Sequence, residues 1–105
     1  SPRYLCLYGP TLIIKRWVGS VTIPVGDIIS VTEAERKVVM FSKRTMGNGG
    51  LFGYYGHYHN HLYGKFRMFA TDLSNLYLIR TAKCNYVIGC SNPELIAKLR
   101  DMIQK

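Results

Sequence analysis

Carboxylates are what this sequence has least of. Six acidic residues (Asp27, Glu33, Glu35, Asp72, Glu94 and Asp101) stand against fourteen lysines and arginines, for a net charge of +8. None of the six lies between Arg36 and Thr71, a third of the chain that carries Arg36, Lys37, Lys43, Arg44, Lys65 and Arg67. So few and so scattered acids argue against a catalytic carboxylate pair, and no serine, cysteine or histidine has a placed base and orienting group beside it. The expectation is a chain that is not an enzyme and has no cofactor. Cysteine is also scarce: Cys6, Cys84 and Cys90 form an odd set with no Cys-x-x-Cys spacing. They are expected to be buried free thiols in a reducing compartment. No apolar run is long enough to span a bilayer as a helix. The chain starts Ser-Pro-Arg without an initiator Met, which suggests a piece excised from a longer protein.

What is present points to a folded β domain. A chain of 105 residues, 48% hydrophobic and 19% charged, is a single domain able to bury a core, and its composition excludes disorder. Tyr4 to Tyr8 and Thr11 to Trp17 read as strands around a Gly9-Pro10 turn, and Val21 to Ile23 as a third strand ending near Pro24. Ile28 to Glu35 alternates, with Ile29, Val31 and Glu33 on one face and Ile28, Ser30 and Thr32 on the other. Arg36 to Phe41 is expected to be its partner strand, since no helical period occurs in the first forty residues. Lys65 to Thr71 is another strand, and Leu76 to Thr81 forms a hairpin with Tyr86 to Cys90.

Only the C-terminus is helical. Ser91 or Asn92 can cap, Pro93 suits the first helical position, and Glu94 complements the positive helix end. Leu95, Ile96, Leu99, Met102 and Ile103 make one apolar stripe, which calls for one partner surface. About seven strands followed by one amphipathic helix define a mainly β fold, a small antiparallel barrel or sandwich closed by a C-terminal α-helix.

The segment Gly47 to Gly64 holds six of the ten glycines, four of the eight tyrosines and all three histidines, with no charged residue. His57, His59 and His61 would share one face of a strand, with neighbours about 7 Å apart. Zinc needs ligands at about 2.1 Å in a tetrahedral array. Two of these histidines could reach one ion, three hardly, and of the acidic residues only Asp72 lies near enough in sequence to orient them. They are weak metal candidates, read instead as a polar face, pH-responsive if anything. A phosphate-loop reading fails: Phe52 occupies the position where Gly47-x-Gly49 needs its third glycine, and no helix follows. The glycines at 50, 53 and 56 are expected to give a tight loop its positive φ values, with Phe52, Tyr54 and Tyr55 folded against the barrel. Aromatics among cations also suit single-stranded nucleic acid. An RNA-recognition fold is nevertheless excluded, because it needs a helix between its first strands.

Several spaced segments resemble one family. Leu12-x-Ile14, Ile23-Pro24-x-x-Asp27-Ile28, Gly49-Gly50-Leu51-Phe52-Gly53-Tyr54-Tyr55-Gly56, Gly64-x-Phe66, Ala70-Thr71-Asp72, Tyr86-Val87-Ile88 and Asn92-Pro93-Glu94 together resemble bacterial pleckstrin-homology-like (PH-like) domains. The resemblance runs from about Tyr4 to the end. It implies a bent antiparallel barrel of about seven strands capped by a C-terminal helix. Members of this family often carry membrane-spanning helices ahead of the domain, which implies such a segment upstream of Ser1. The lysine and arginine pattern that eukaryotic relatives use for inositol phospholipids is not present in the first hairpin, Tyr8-Gly9-Pro10-Thr11, with Lys15 and Arg16 beyond it.

These readings converge on a non-enzymatic binding or scaffolding module at the cytoplasmic face of a bacterial inner membrane. The expected binding residues are Lys43, Arg44, Phe52, Tyr54, Tyr55, Tyr58, Lys65 and Arg67, facing an anionic membrane surface or a protein partner. Tyr54, Tyr55 and Tyr58 are expected in the headgroup layer. The alternative is a peptide- or protein-interaction module using a barrel edge near the glycine segment, with single-stranded nucleic acid the less favoured partner.

Overall fold

The computed structural model describes residues 4–16, 19–48, 54–71 and 73–104, with the side chains of Tyr4, of residues 44–48 and of Tyr54 left aside. Three strands, β1 (Tyr4–Tyr8), β2 (Thr11–Lys15) and β3 (Ser20–Pro24), form one antiparallel sheet in that order. Gly9, at φ +57°, makes the tight β1–β2 turn without strain. A short 3-10 turn, Val25–Asp27, leads to β4 (Ile28–Glu33). A helix, α1 (Arg36–Met40), precedes β5 (Lys43–Asn48), β6 (Tyr54–Asn60), β7 (Gly64–Ala70), β8 (Leu76–Thr81) and β9 (Asn85–Gly89). The second sheet has six strands in the order β4-β8-β9-β7-β6-β5. The chain ends in α2 (Pro93–Ile103).

The main core lies between the two sheets. Leu12, Ile14 and Ile23 from the first sheet meet Phe69, Ile79 and Ile88 from the second, and Ile96 and Leu99 of α2 complete it. Among the described residues the two sheets share no ladder, so the arrangement is an open, bent sandwich. Helix α2 lies against β1, the 3-10 turn and β4, across the seam between them. Asn92 caps it as expected: its Oδ1 accepts from the amides of Glu94 (3.1 Å) and Leu95 (3.3 Å). Arg100 donates from Nε to the Val31 carbonyl (3.1 Å), tying the helix to β4 at the sheet edge.

The fold is mainly β with one C-terminal helix, as expected, but several details differ from the sequence reading. Nine strands occur among the described residues, against about seven expected. β7 and β9 pair in parallel, so the larger sheet is mixed. Arg36–Met40 is a helix, although Val38 and Val39 favour strands by their branching. The cause is a second apolar face. In β7, β8 and β9 alternate residues turn away from the main core, and Phe66, Met68, Leu76, Leu78 and Val87 form a second cluster on the outer face. Val39 of α1 covers that cluster at 4% exposure. Burial on this face overrides strand propensity.

In β4 a bulge between Ile28 and Ser30 shifts the register. Ile28 and Val31, three apart, are therefore both buried, while Ile29 stands 64% exposed. The expected strict alternation fails at that extra residue. The cysteines are free, but all three are half-buried rather than buried.

Candidate functional site

The glycine segment is largely strand. β5 pairs with β6 and β6 with β7, so the segment adds a hairpin to the edge of the large sheet. Gly56, at φ +132°, lies within β6 and not in a loop, and Gly64, at φ +69°, ends the turn into β7. Gly50 and Gly53 lie outside the described residues, as does Phe52.

Register brings the cationic residues into rows. Directly opposite residues of paired strands project to the same face. Lys43 is opposite His59 and His59 is opposite Lys65; one step along, His57 is opposite Arg67 and Arg67 is beside Tyr86 of β9. The β8–β9 turn adds Lys83 and Cys84. Thr81 shapes that turn: its hydroxyl oxygen accepts from the Lys83 (3.2 Å) and Cys84 (3.0 Å) amides, and the hydroxyl donates to the Cys84 carbonyl. The result is a cleft of about 850 Å³ whose charged and titratable lining is His57, Tyr58, His59, Lys65, Arg67, Lys83 and Cys84. Among the described residues that line it there is no carboxylate.

Tyr58 and Phe66 are the aromatic lining of the cleft, and Arg67 also reaches a ring of the main core, that of Phe69. The Arg67 guanidinium lies over the Phe69 ring at 5.1 Å from its centroid, and Arg16, just past β2, lies over the same ring at 5.5 Å. Two cations of like sign thus gather at one ring, one from each sheet. Burial raises the Tyr86 phenol above the usual tyrosine value, and the neighbouring Cys84 thiol adds to this. The Arg67 guanidinium pulls it partly back.

The expected binding residues fare unequally. Lys43 and Lys65 are exposed and Arg67 is half-buried on the cleft wall. Arg44 falls in β5, in register with Tyr58, and Tyr54 opens β6; their side chains lie outside the description. Tyr55 is half-buried against the main core. Tyr58 corrects the expectation of a headgroup residue: it is 8% exposed and stacks on Phe66 with ring centroids 5.9 Å apart, as part of the outer core. The histidine triplet also divides. His57 and His59 are on β6, but His61 is in the following turn and does not share their strand. Among the described residues no group of three His, Cys, Asp or Glu side chains is placed to hold a metal. Sequence reasoning missed Lys83 and Cys84, which the register of the β8–β9 hairpin brings to the cleft, and Arg16, which sheet packing brings to the Phe69 ring beside Arg67.

The structure is thus an open β sandwich with a terminal helix and a cation-lined cleft on its large sheet. The family model described as "Bacterial PH domain" matches residues 3–102, nearly the whole chain, and the protein belongs to that family. No curated protein and no solved structure matches the chain. Family membership supports a binding or scaffolding role in general.

Proposed function

We propose that this domain is a non-enzymatic module that docks on anionic lipid headgroups at the cytoplasmic face of a bacterial inner membrane, as the soluble part of a membrane-anchored protein. One observation carries the reading: the cleft between β6, the start of β7 and the β8–β9 turn gathers Lys65, Arg67, Lys83, His57 and His59, with no carboxylate among the described lining residues. Lys43 adjoins it through its register with His59. Each lysine or arginine near an anionic leaflet contributes about 1 kcal/mol of attraction. Arg16 and Arg67, held over one ring, offer donors that a phosphate oxygen can accept. A cytoplasmic excess of Lys and Arg is also what membrane topology favours.

Co-sedimentation with phosphatidylglycerol-containing and with pure phosphatidylcholine vesicles tests this. Binding is expected only to the former, and Lys43→Glu or Lys65→Glu should each weaken it by roughly fivefold or more. Indifference to lipid charge at low salt would sink the reading.

A second reading has support in β5, an edge strand of the large sheet with one free flank for an added strand. A peptide bound there would hold at moderate salt, because ladder hydrogen bonds are little screened.

A further inference from the structure

Exposed large hydrophobic side chains scattered singly need no explanation; gathered ones do. Five occur among the described residues, and two of them, Phe41 (81%) and Leu62 (66%), line one groove, with Met40 (55%) next to Phe41 in the chain. Met40 and Phe41 end α1, and Leu62 is in the β6–β7 turn. Phe41, Leu62 and Val38 together line a groove of about 460 Å³. Lys43, His59 and His61 line the same groove, and again no carboxylate does so among the described residues. His59 also lines the cationic cleft, so the two surfaces are continuous.

The backbone that carries these tips is closed on itself. The Asn60 Oδ1 accepts from the amides of Leu62 (2.9 Å) and Tyr63 (2.7 Å). The Leu62 carbonyl accepts from Arg80 (3.4 Å) and the Tyr63 carbonyl from Asn85 (3.0 Å). On the helix side, Phe41 donates its amide to the Lys37 carbonyl (3.3 Å) and Ser42 donates to the carbonyl of Val39 (3.1 Å). The Asn60 amide group then bonds Ser42 Oγ (2.8 Å), locking the two tips together. A turn with satisfied amides and carbonyls can leave water without the several kcal/mol that each unmade bond costs in hydrocarbon.

We propose that Phe41 and Leu62 form a rigid apolar wedge that enters the interfacial layer of an anionic bilayer while Lys43 and Lys65 engage the headgroups. This rests on the membrane reading above and adds the contact that sets orientation and depth. The occupant follows from charge: an apolar tip rimmed by cations of one sign fits a surface that is apolar beneath and anionic above. Electrostatic attraction brings the domain to the leaflet, and burial of the tips adds a part that salt does not screen.

The test uses phosphatidylcholine vesicles containing phosphatidylglycerol, with and without brominated acyl chains. Three variants at exposed positions are compared with the parent: Phe41→Ser/Leu62→Ser, Leu62→Trp, and Lys98→Trp on α2 as a control. The double serine variant should lose vesicle affinity by roughly tenfold or more, while its urea midpoint stays that of the parent. Bromine should quench the emission of Leu62→Trp beyond any change in the parent's Trp17, and leave Lys98→Trp as the parent. Vesicle binding without quenching at position 62 overturns the wedge and leaves the membrane reading standing. No sedimentation with anionic vesicles overturns both. Parent-like vesicle binding by the double variant, with loss instead of a concentration-dependent self-association, assigns the corner to a protein contact and also overturns the wedge.

Discussion

Asn60 does more for the local structure than its place in a histidine-rich stretch suggests. One side chain accepts from two amides of the β6–β7 turn and donates to Ser42 beyond α1. Replacing it with alanine leaves two turn amides without their acceptor. Asn60→Ala should therefore lower unfolding stability by about 2 kcal/mol, read from urea denaturation. A change under about half a kcal/mol would mean that water replaces the amide group at no cost. Tyr86 gives a pH-dependent prediction. Its phenol is held above the ordinary tyrosine value by burial and by Cys84, so the neutral form is favoured in the fold. That contribution is complete below the unfolded tyrosine pKa of about 10 and is lost as pH rises through the raised value. Tyr86→Phe keeps the ring and removes the ionisation. The variant should be less stable than the parent at neutral pH, and the gap should narrow in alkali above the ordinary tyrosine pKa. A gap constant across that range would show that Tyr86 does not contribute to the alkaline loss.

At the scale of elements, the ends of the chain were legible and the middle was not. Helix α2 was readable because cap, first-turn proline, acidic residue and apolar stripe all agree within a dozen residues. Its test is correspondingly direct. Asn92→Ala should cost about 1 kcal/mol through two lost cap bonds, and Leu99→Ala, at a site with no exposure, about 2–5 kcal/mol. Equal losses at the two positions would mean that the helix is held by its cap as much as by the core. Helix α1 has no such local signal. It lacks a side-chain cap, has five residues, and is built around two valines. What places Val39 inward is an apolar outer sheet face assembled from β7, β8 and β9, distant in sequence. The β4 bulge is of the same kind, since an inserted residue becomes visible only against its partner strand. Strands β5 and β6 were legible only in part: alternating histidines among tyrosines suggested a strand in the region of β6, whereas β5 ends in Gly-Asn, which carries little strand preference, and is held by cross-strand pairing.

For the whole molecule, charge is the property with the widest reach. A net +8 on this chain raises encounter rates with any anionic surface, and the effect is screened beyond about 8 Å at physiological salt. Vesicle binding should therefore weaken as salt rises from low to physiological levels but not vanish, because the apolar tips retain their share. Binding that disappears fully would leave attraction as the sole force. The list of cations was readable in the sequence, and so was their freedom from nearby acids between Arg36 and Thr71. The site was readable only in part. Lys43, Lys65 and Arg67 do meet one region through their register, whereas Tyr58 turned into the outer core, and His61 left the strand of His57 and His59.

Composition and short-range pattern thus determined the mainly β class, the β1–β2 and β8–β9 hairpins, the capped C-terminal helix and the basic, acid-poor middle. These depend on alternation, turn chemistry and capping, all of which act over a few residues. Tertiary structure alone decided which residues became surface. Opposite faces of the six-stranded sheet bury different cores, so a one-residue change of parity places Tyr58 in the outer core and leaves the neighbouring His57 and His59 outside it. It also decided that Arg16 and Arg67 share one ring, and that Phe41 and Leu62, twenty-one positions apart, face the same groove. Those pairings depend on sheet register and layer packing, which link distant segments and leave no mark on either segment alone.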